Sequence, residues 1–442
     1  MTGNEILFYT LYILPFVILL LYKDNGYPAV LKFSCANILM LFYMLVNHVA
    51  LFAMYDAIGG IKQLHQVNND IVILLAFYTL IVVLAYVLTG IIFGARYTHI
   101  RIPNISSLKS DVYNAPILYA VILISLPIAL AKFSSDSPAL ILLQGDNIIA
   151  TESRLLEVTT GESFLGIKSS YLDVIWTLLG FVQIVAFVGA VTQRKRSLII
   201  AFIASTLVAF FSSFVNTAKG GVVQPILVVS LVYTLVFCNG KLINKVAIRL
   251  ILLSIPIISI FSTWVMGNDI LEIFGPIERL TLGNLLPQYV VVENFGYHNM
   301  LLGKTTPSWF SFGGHEQFLL DVWVWQELMG GLQQIFYTAP SSFVAEGHAN
   351  WSVLGVAGMS FFIFFAIRII DYWLKKVKLE YLYVSLIVFS AIHFSKLSNK
   401  GGISFLIDYG YWSVLLFAYF MYKISISNYN VVRIQSKNLG KL

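Results

Sequence analysis

The stretch IVILLAFYTLIVVLAYVLTGIIFGA, Ile71 to Ala95, runs for 25 residues without a charged side chain. A helix rises about 1.5 Å per residue, so roughly 20 such residues cross a hydrocarbon core about 30 Å thick. No water is available there to bond the backbone, and a helix satisfies its own N–H and C=O groups. A membrane barrel strand would alternate polar and apolar residues, which this stretch does not do.

Working outward, comparable apolar runs recur near 6–22, 33–55, 115–131, 171–192, 198–215, 222–238, 248–266, 351–373, 381–394 and 404–422. Hydrophobic residues make up 58% of the 442, charged residues only 11%, and mean hydropathy is +0.81. A soluble domain carries roughly 25% charged residues. The expected fold is therefore an all-α polytopic integral membrane protein with eleven transmembrane helices, one integral membrane domain over 1–442. The first run has no basic flank and no A-x-A site, so it reads as a retained span rather than a signal peptide.

The loops between these runs divide by charge. One alternate set, from Lys23 and Lys32 through Arg194–Arg196 to Lys441, holds 19 of the 28 cations and four of the 22 acids. The other holds nine cations and 18 acids, so the net charges are +15 and −9. By the positive-inside rule the basic set is cytoplasmic, with the amino terminus periplasmic and the carboxyl terminus cytoplasmic. The same rule accounts for the pI near 9.0 without any nucleic-acid partner. Cys35 and Cys238 both lie in or beside apolar runs and form no disulfide framework.

Two outer loops are long, 132–170 and 267–350. The second carries Trp309, Trp323, Trp325 and Phe336 among polar residues, which reads either as a lid of short interfacial helices or as an aromatic belt. His315-Glu316 begins like a zincin helix, but Leu319 stands where the second ligand belongs, so no metal site is expected. No D-x-D pair and no Walker A loop occurs, which argues against nucleotide-sugar–metal chemistry and ATP.

The outer cations run against the charge bias. Asn216-Thr217-Ala218-Lys219-Gly220-Gly221 opens a span and suits an anion at a helix start, or forms a tight turn with a snorkelling lysine. His393, Lys396 and Lys400 would share a face if their helix continues to Gly401-Gly402. Arg279 follows Pro276 near the membrane and suits bidentate phosphate binding or pairing with Glu278. Glu346 and His348 are the acid–base candidates, in APSSFVAEGHANWSVLGVAG (339–358) at a span entrance, where either could take a proton from a hydroxyl. Helix capping there is the competing reading. His48 is an ionisable group within a span, a marker of function or of hydrogen-bonded packing.

The spacing Pro340, Glu346, Asn350, Gly355, Gly358 leading into a span resembles the late motif of O-antigen polymerases, the Wzy-type oligosaccharide repeat-unit polymerases. Lys219-Gly220-Gly221 resembles the turn where that family carries Ser-Arg-Gly, with lysine here in place of arginine. Glu278-Arg279 with Gly303-Lys304 resembles its large-loop arrangement. The resemblance implies a glycosyl transfer on the periplasmic side of a bacterial inner membrane. There, a glycan on undecaprenyl pyrophosphate moves onto the terminal sugar of an incoming lipid-linked unit. It implies Glu346 or His348 as base and Lys219, Arg279, Lys304, Lys396 and Lys400 on pyrophosphate, with His393, His48 and Asn350 as additional site candidates. It also implies undecaprenyl-pyrophosphate-linked oligosaccharide substrates, membrane lipids and a chain-length regulator protein as partners. No metal or other cofactor is expected if fixed cations hold the leaving group. The alternatives are an O-antigen ligase and a lipid-linked oligosaccharide flippase or other transporter, with a membrane-bound acyltransferase ranked last.

Overall fold

A computed structural model describes residues 2–55, 67–98, 100–111, 113–131, 140–141, 169–215, 220–250, 252–253, 256, 274–305, 317–328 and 341–439. Helices dominate: α1 (Gly3–Leu21), α2 (Cys35–Tyr55), α3 (Asn69–Thr98), α4 (Ile105–Ser110), α5 (Ala115–Ala131), α6 (Ser169–Gln193) and α7 (Arg196–Val215) come first. Then follow α8 (Gly220–Phe237), α9 (Phe274–Asn294), α10 (Leu320–Leu328), α11 (Phe343–Leu374), α12 (Glu380–Ser395) and α13 (Tyr409–Leu439). Seven helical segments, within α1, α2, α3, α6, α7, α11 and α12 with its 3₁₀ extension to Ser398, are long and apolar enough to cross a membrane. This is the pattern of a multi-pass, all-α membrane protein. The helices α5 and α8 are apolar but shorter. The expected span at 248–266 lies mostly, and the loop at 132–170 almost wholly, outside the described residues.

Local signals set the ends of these elements. Thr2 and Glu5 close a reciprocal capping box at the start of α1, and the Ser34 hydroxyl accepts from Asn37 N at the start of α2. Between them, Lys23–Asp24 pairs antiparallel with Tyr27–Pro28 through Asn25-Gly26, both at positive φ, the conformation that favours Asn-Gly in a tight hairpin. Within α2 the turn Met44–His48 widens to a π-helix. Large apolar side chains such as Leu123, Leu354 and Ile91 face outward at 64–78% exposure, where a hydrocarbon solvent costs them nothing.

The chain forms two compact units. The first comprises 1–100, 268–373 and 391–407, and holds α1, α2, α3, α9, α10, α11 and the end of α12. Within it α1 lies along α3, and α9 packs on the second half of α2, on α3 and on α10. The second comprises 101–267, 374–390 and 408–442, in which α6 is central and touches α5, α7, α8 and α13.

Three local expectations need correcting. The region 267–350 contains more than short interfacial helices, because α9 is 21 residues long and buries Leu285, Tyr289, Val290 and Val291. The span expected from residue 351 belongs to a helical segment starting at Phe343, interrupted at Trp351 and Ser352, where φ is −145° and +52°. The two glycines flanking the break explain how the backbone tolerates it. In a straight helix Gly347 and Gly355 would be about 12 Å apart, yet a Cβ on Gly347 would sit 2.7 Å from the Gly355 carbonyl oxygen. Finally, Arg368 is not a loop cation. It is 1% exposed in α11, donating to Thr89 Oγ1 and the Tyr86 carbonyl at 3.3 Å each, with its guanidinium 5.1 Å from the Tyr86 ring centroid.

Candidate functional site

The half-helix Phe343–Asn350 is the centre of the site. Its first turn contains Glu346, where a carboxylate interacts favourably with the helix dipole. Its last carbonyls would be left open at the break. They are taken up by the segment 301–303, with Leu301 N donating to Ala349 O at 2.8 Å and Leu302 N to Asn350 O at 3.2 Å. Leu302 and Gly303 both adopt positive φ to make this turn.

That docking carries Thr305 to Glu346 across 41 positions of sequence. The Thr305 hydroxyl donates to Glu346 Oε1 at 3.1 Å and accepts from Asn350 Nδ2 at 2.6 Å. Asn350 Nδ2 also donates to Glu346 O at 2.9 Å, while Asn350 Oδ1 accepts from Gly303 N at 2.8 Å. The Gly402 N–H donates to the Glu346 carboxylate, and a Cβ on Gly402 would lie against that carboxyl group. Glu346 is 5% exposed and Asn350 fully buried, so each bond is made in a desolvated setting where an unmade one costs most. Asp321 stands close enough to act on Glu346 electrostatically, as does Lys400 on Asp321. Asp321 accepts from Ser341 N at 3.2 Å and Ser341 Oγ at 3.0 Å; burial still pushes its carboxyl above the usual range.

His348 lies on the same half-helix with different partners. Its Nε2 sits 2.6 Å from the Phe295 carbonyl, which can only accept, so Nε2 carries the proton. In the neutral ring, Nδ1 then accepts from the Tyr78 hydroxyl at 2.7 Å. Both nitrogens are thus engaged by protein groups. His393 stacks on Phe405 with centroids 4.3 Å apart and its Nε2 points to the Phe405 carbonyl at 3.4 Å.

The shared face of His393, Lys396 and Lys400 is not formed. The helix ends at Ser395, tightens to a 3₁₀ turn over Lys396–Ser398, and leaves helical geometry at Asn399, so the i, i+3, i+7 register is lost. His393 is buried, whereas Lys396 and Lys400 are exposed. Lys304 is exposed next to Thr305, and its carbonyl accepts from Phe318 N at 2.8 Å. His48 is buried in the π-turn, bonded through Nε2 to Tyr12 O at 2.8 Å and stacked on the Tyr12 ring at 4.7 Å. Lys219, Trp309, His315, Glu316 and Phe336 lie outside the described residues, and of Arg279 only the helical backbone is described. Trp323 packs its ring 4.7 Å from Phe295, tying α10 to the end of α9. Among the described residues no group of three His, Cys, Asp or Glu side chains is arranged to hold a metal.

Thr305 and Gly402 were not found by sequence reasoning, and Asp321 was noted only as one loop acid. A Gly-Gly pair ending a helix signals a stop, and nothing local marks it as a cradle for a distant carboxylate. Chemically, the cluster presents one buried carboxylate, held by a hydroxyl and a backbone N–H, with a second carboxylate and an exposed lysine nearby. Comparison with family models, with curated proteins and with solved structures returns no match to this chain.

Proposed function

We propose that this protein is a bacterial inner-membrane glycosyltransferase that polymerises oligosaccharide repeat units carried on undecaprenyl pyrophosphate. In this reading eleven spans place the amino terminus in the periplasm and the carboxyl terminus in the cytoplasm, following the charge division of the loops. The observation that carries it is the buried Glu346 carboxylate, oriented by Thr305, Asn350 and Gly402 at a helix break beside the electrostatic pair Asp321–Lys400. The Glu346 carboxylate accepts the proton of the acceptor hydroxyl as that oxygen bonds to the anomeric carbon. The carbon–oxygen bond to pyrophosphate breaks, and undecaprenyl pyrophosphate leaves with its electron pair. Lys400, Lys396 and Lys304, exposed at the ends of this unit's segments, supply cations for the leaving group. The occupied nitrogens of His348 favour Glu346 as the base and His348 as a group that positions the half-helix.

A second reading, a lipid-linked oligosaccharide flippase, draws on Arg368, a fully buried cation inside α11. Gene deletion distinguishes the two. Loss of a polymerase leaves surface core capped by a single repeat unit on a gel, whereas loss of a flippase leaves none. Glu346→Gln, with membrane levels unchanged, is expected to reproduce the single-unit pattern. Normal chain lengths in that variant would refute the assignment of the base.

A further inference from the structure

The second unit contains a cavity of about 530 Å³ lined by Ile105 and Lys109 of α4, the turn Gln193–Arg194–Lys195 after α6, and Phe237 at the end of α8. Lys109, Arg194 and Lys195 all belong to the basic set of segments. The positive-inside rule explains why cations are at this level, but not why three converge on one hollow. Their convergence has a local cause. The α6 helix stops at Gln193, and Arg194 takes a left-handed φ of 55°, which turns the chain sharply into α7 at Arg196. The Gln193 side-chain amide crosses to α4's end, donating to the carbonyls of Leu108, Lys109 and Asp111 at 3.2, 3.1 and 2.6 Å. This clamp holds Lys109 beside Arg194 and Lys195.

The neighbouring carboxylates are committed elsewhere. Asp111 Oδ2 accepts from Tyr381 N at 3.0 Å, and Glu380 pairs with Arg101 at 3.3 Å. Among the described residues no carboxylate pairs with Lys109, Arg194 or Lys195. Gln193 Oε1 is buried at the same place and accepts no hydrogen bond among the described residues. The three polar carbonyls identify that atom as the oxygen, because the amide nitrogen must face them. The cavity therefore presents three cations and an apolar rim in which Ile105 and Phe237 are 38% and 43% exposed.

This set matches one kind of ligand. A phosphodiester satisfies the cations, and an acyl chain covers Ile105 and Phe237. We propose that this cavity is a binding site for the headgroup of an anionic membrane phospholipid. Basic hollows between membrane helices bind such headgroups by the same combination of charge and apolar contact. The site is separate from the glycosyl-transfer reading and does not depend on it.

The test uses the purified full-length protein in neutral detergent, with phosphatidylglycerol and phosphatidylcholine offered in equal amounts and bound lipid read by native mass spectrometry. Wild type is expected to retain phosphatidylglycerol on the order of tenfold over phosphatidylcholine, given three convergent cations. Lys109→Gln, Arg194→Asn and Lys195→Gln together should abolish the preference; asparagine tolerates the left-handed φ at 194. An equal loss of charge on the same basic set, Lys245→Gln, Arg249→Gln and Lys378→Gln, should leave the preference intact. If the triple variant does not fold, the single Lys195→Gln should still lower the ratio severalfold. No preference in wild type, or equal loss in both triple variants, overturns the site. Displacement of the lipid by millimolar inorganic phosphate assigns the cavity to free phosphate and overturns the lipid assignment.

Discussion

Replacing Thr305 with valine keeps the shape of the side chain and removes the hydroxyl that joins Asn350 to Glu346. Two bonds are lost, of 2.6 Å and 3.1 Å, at a residue 7% exposed. Asn350 keeps its bonds to Glu346 O and Gly303 N, and Glu346 keeps the Gly402 N–H, so each side is left partly unsatisfied. A buried polar group without its partner costs about 1–3 kcal/mol. With one donor and one acceptor orphaned, the expected loss is about 2–6 kcal/mol. Thr305→Ser retains the hydroxyl and loses one methyl group, about 0.8 kcal/mol. Unfolding of the purified protein in mixed micelles, titrated with a denaturing detergent, measures both. A double-mutant cycle with Asn350→Ala should show the pair costing less than the two single changes added, since both act on one bond. Equal stability of the valine variant and wild type, or serine as damaging as valine, would refute the relay.

The close backbone approaches give a second expectation. Gly355→Ala drives a Cβ onto the Gly347 carbonyl and should cost about 3 kcal/mol, the upper end of ordinary overpacking, visible as loss of membrane accumulation. Gly402→Ala presses on the Glu346 carboxyl group, a side chain that can move, so accumulation should survive while, on the proposed polymerase reading, long glycan chains disappear from the gel. Asp321 has a pKa raised in the folded state, so the folded protein holds that proton more tightly than the unfolded chain. Its contribution to stability therefore falls as pH rises from the ordinary carboxylate range through the raised value. Asp321→Asn should gain on wild type in unfolding midpoint across that rise, and an opposite slope would contradict the burial argument. Asp371 Oδ1 and Oδ2 accept from Cys35 N and Ala36 N at the start of α2, so Asp371→Ala should lower unfolding stability by about 1–2 kcal/mol, and Asp371→Asn by less.

Much of the helical plan was legible because the signal is local. The run from Ile71 to Ala95 needs no partner to specify a helix in hydrocarbon. Glu346 and His348 could be singled out for the same reason, lying at the entrance to an apolar run.

What the sequence could not reveal depends on groups brought together from distant positions. The bond from Thr305 to Glu346, the fit of Gly402 under that carboxylate and the cap of Asp371 on α2 span 41 to 336 positions, and no periodicity encodes them. Register behaved likewise. The 3₁₀ turn over Lys396–Ser398 and the non-helical backbone at Asn399 end the expected face of His393, Lys396 and Lys400, and the break at Trp351–Ser352 follows from how Gly347 meets Gly355. Arg368 shows the same limit for charge. Hydropathy assigns a cation to the membrane edge, whereas Thr89 and Tyr86 satisfy it inside the helical packing. The sequence by itself determined that the chain is helical and apolar, because hydrocarbon imposes that residue by residue. Only the tertiary structure decided which polar groups meet, because hydrogen bonds between remote residues exist only once the helices have packed.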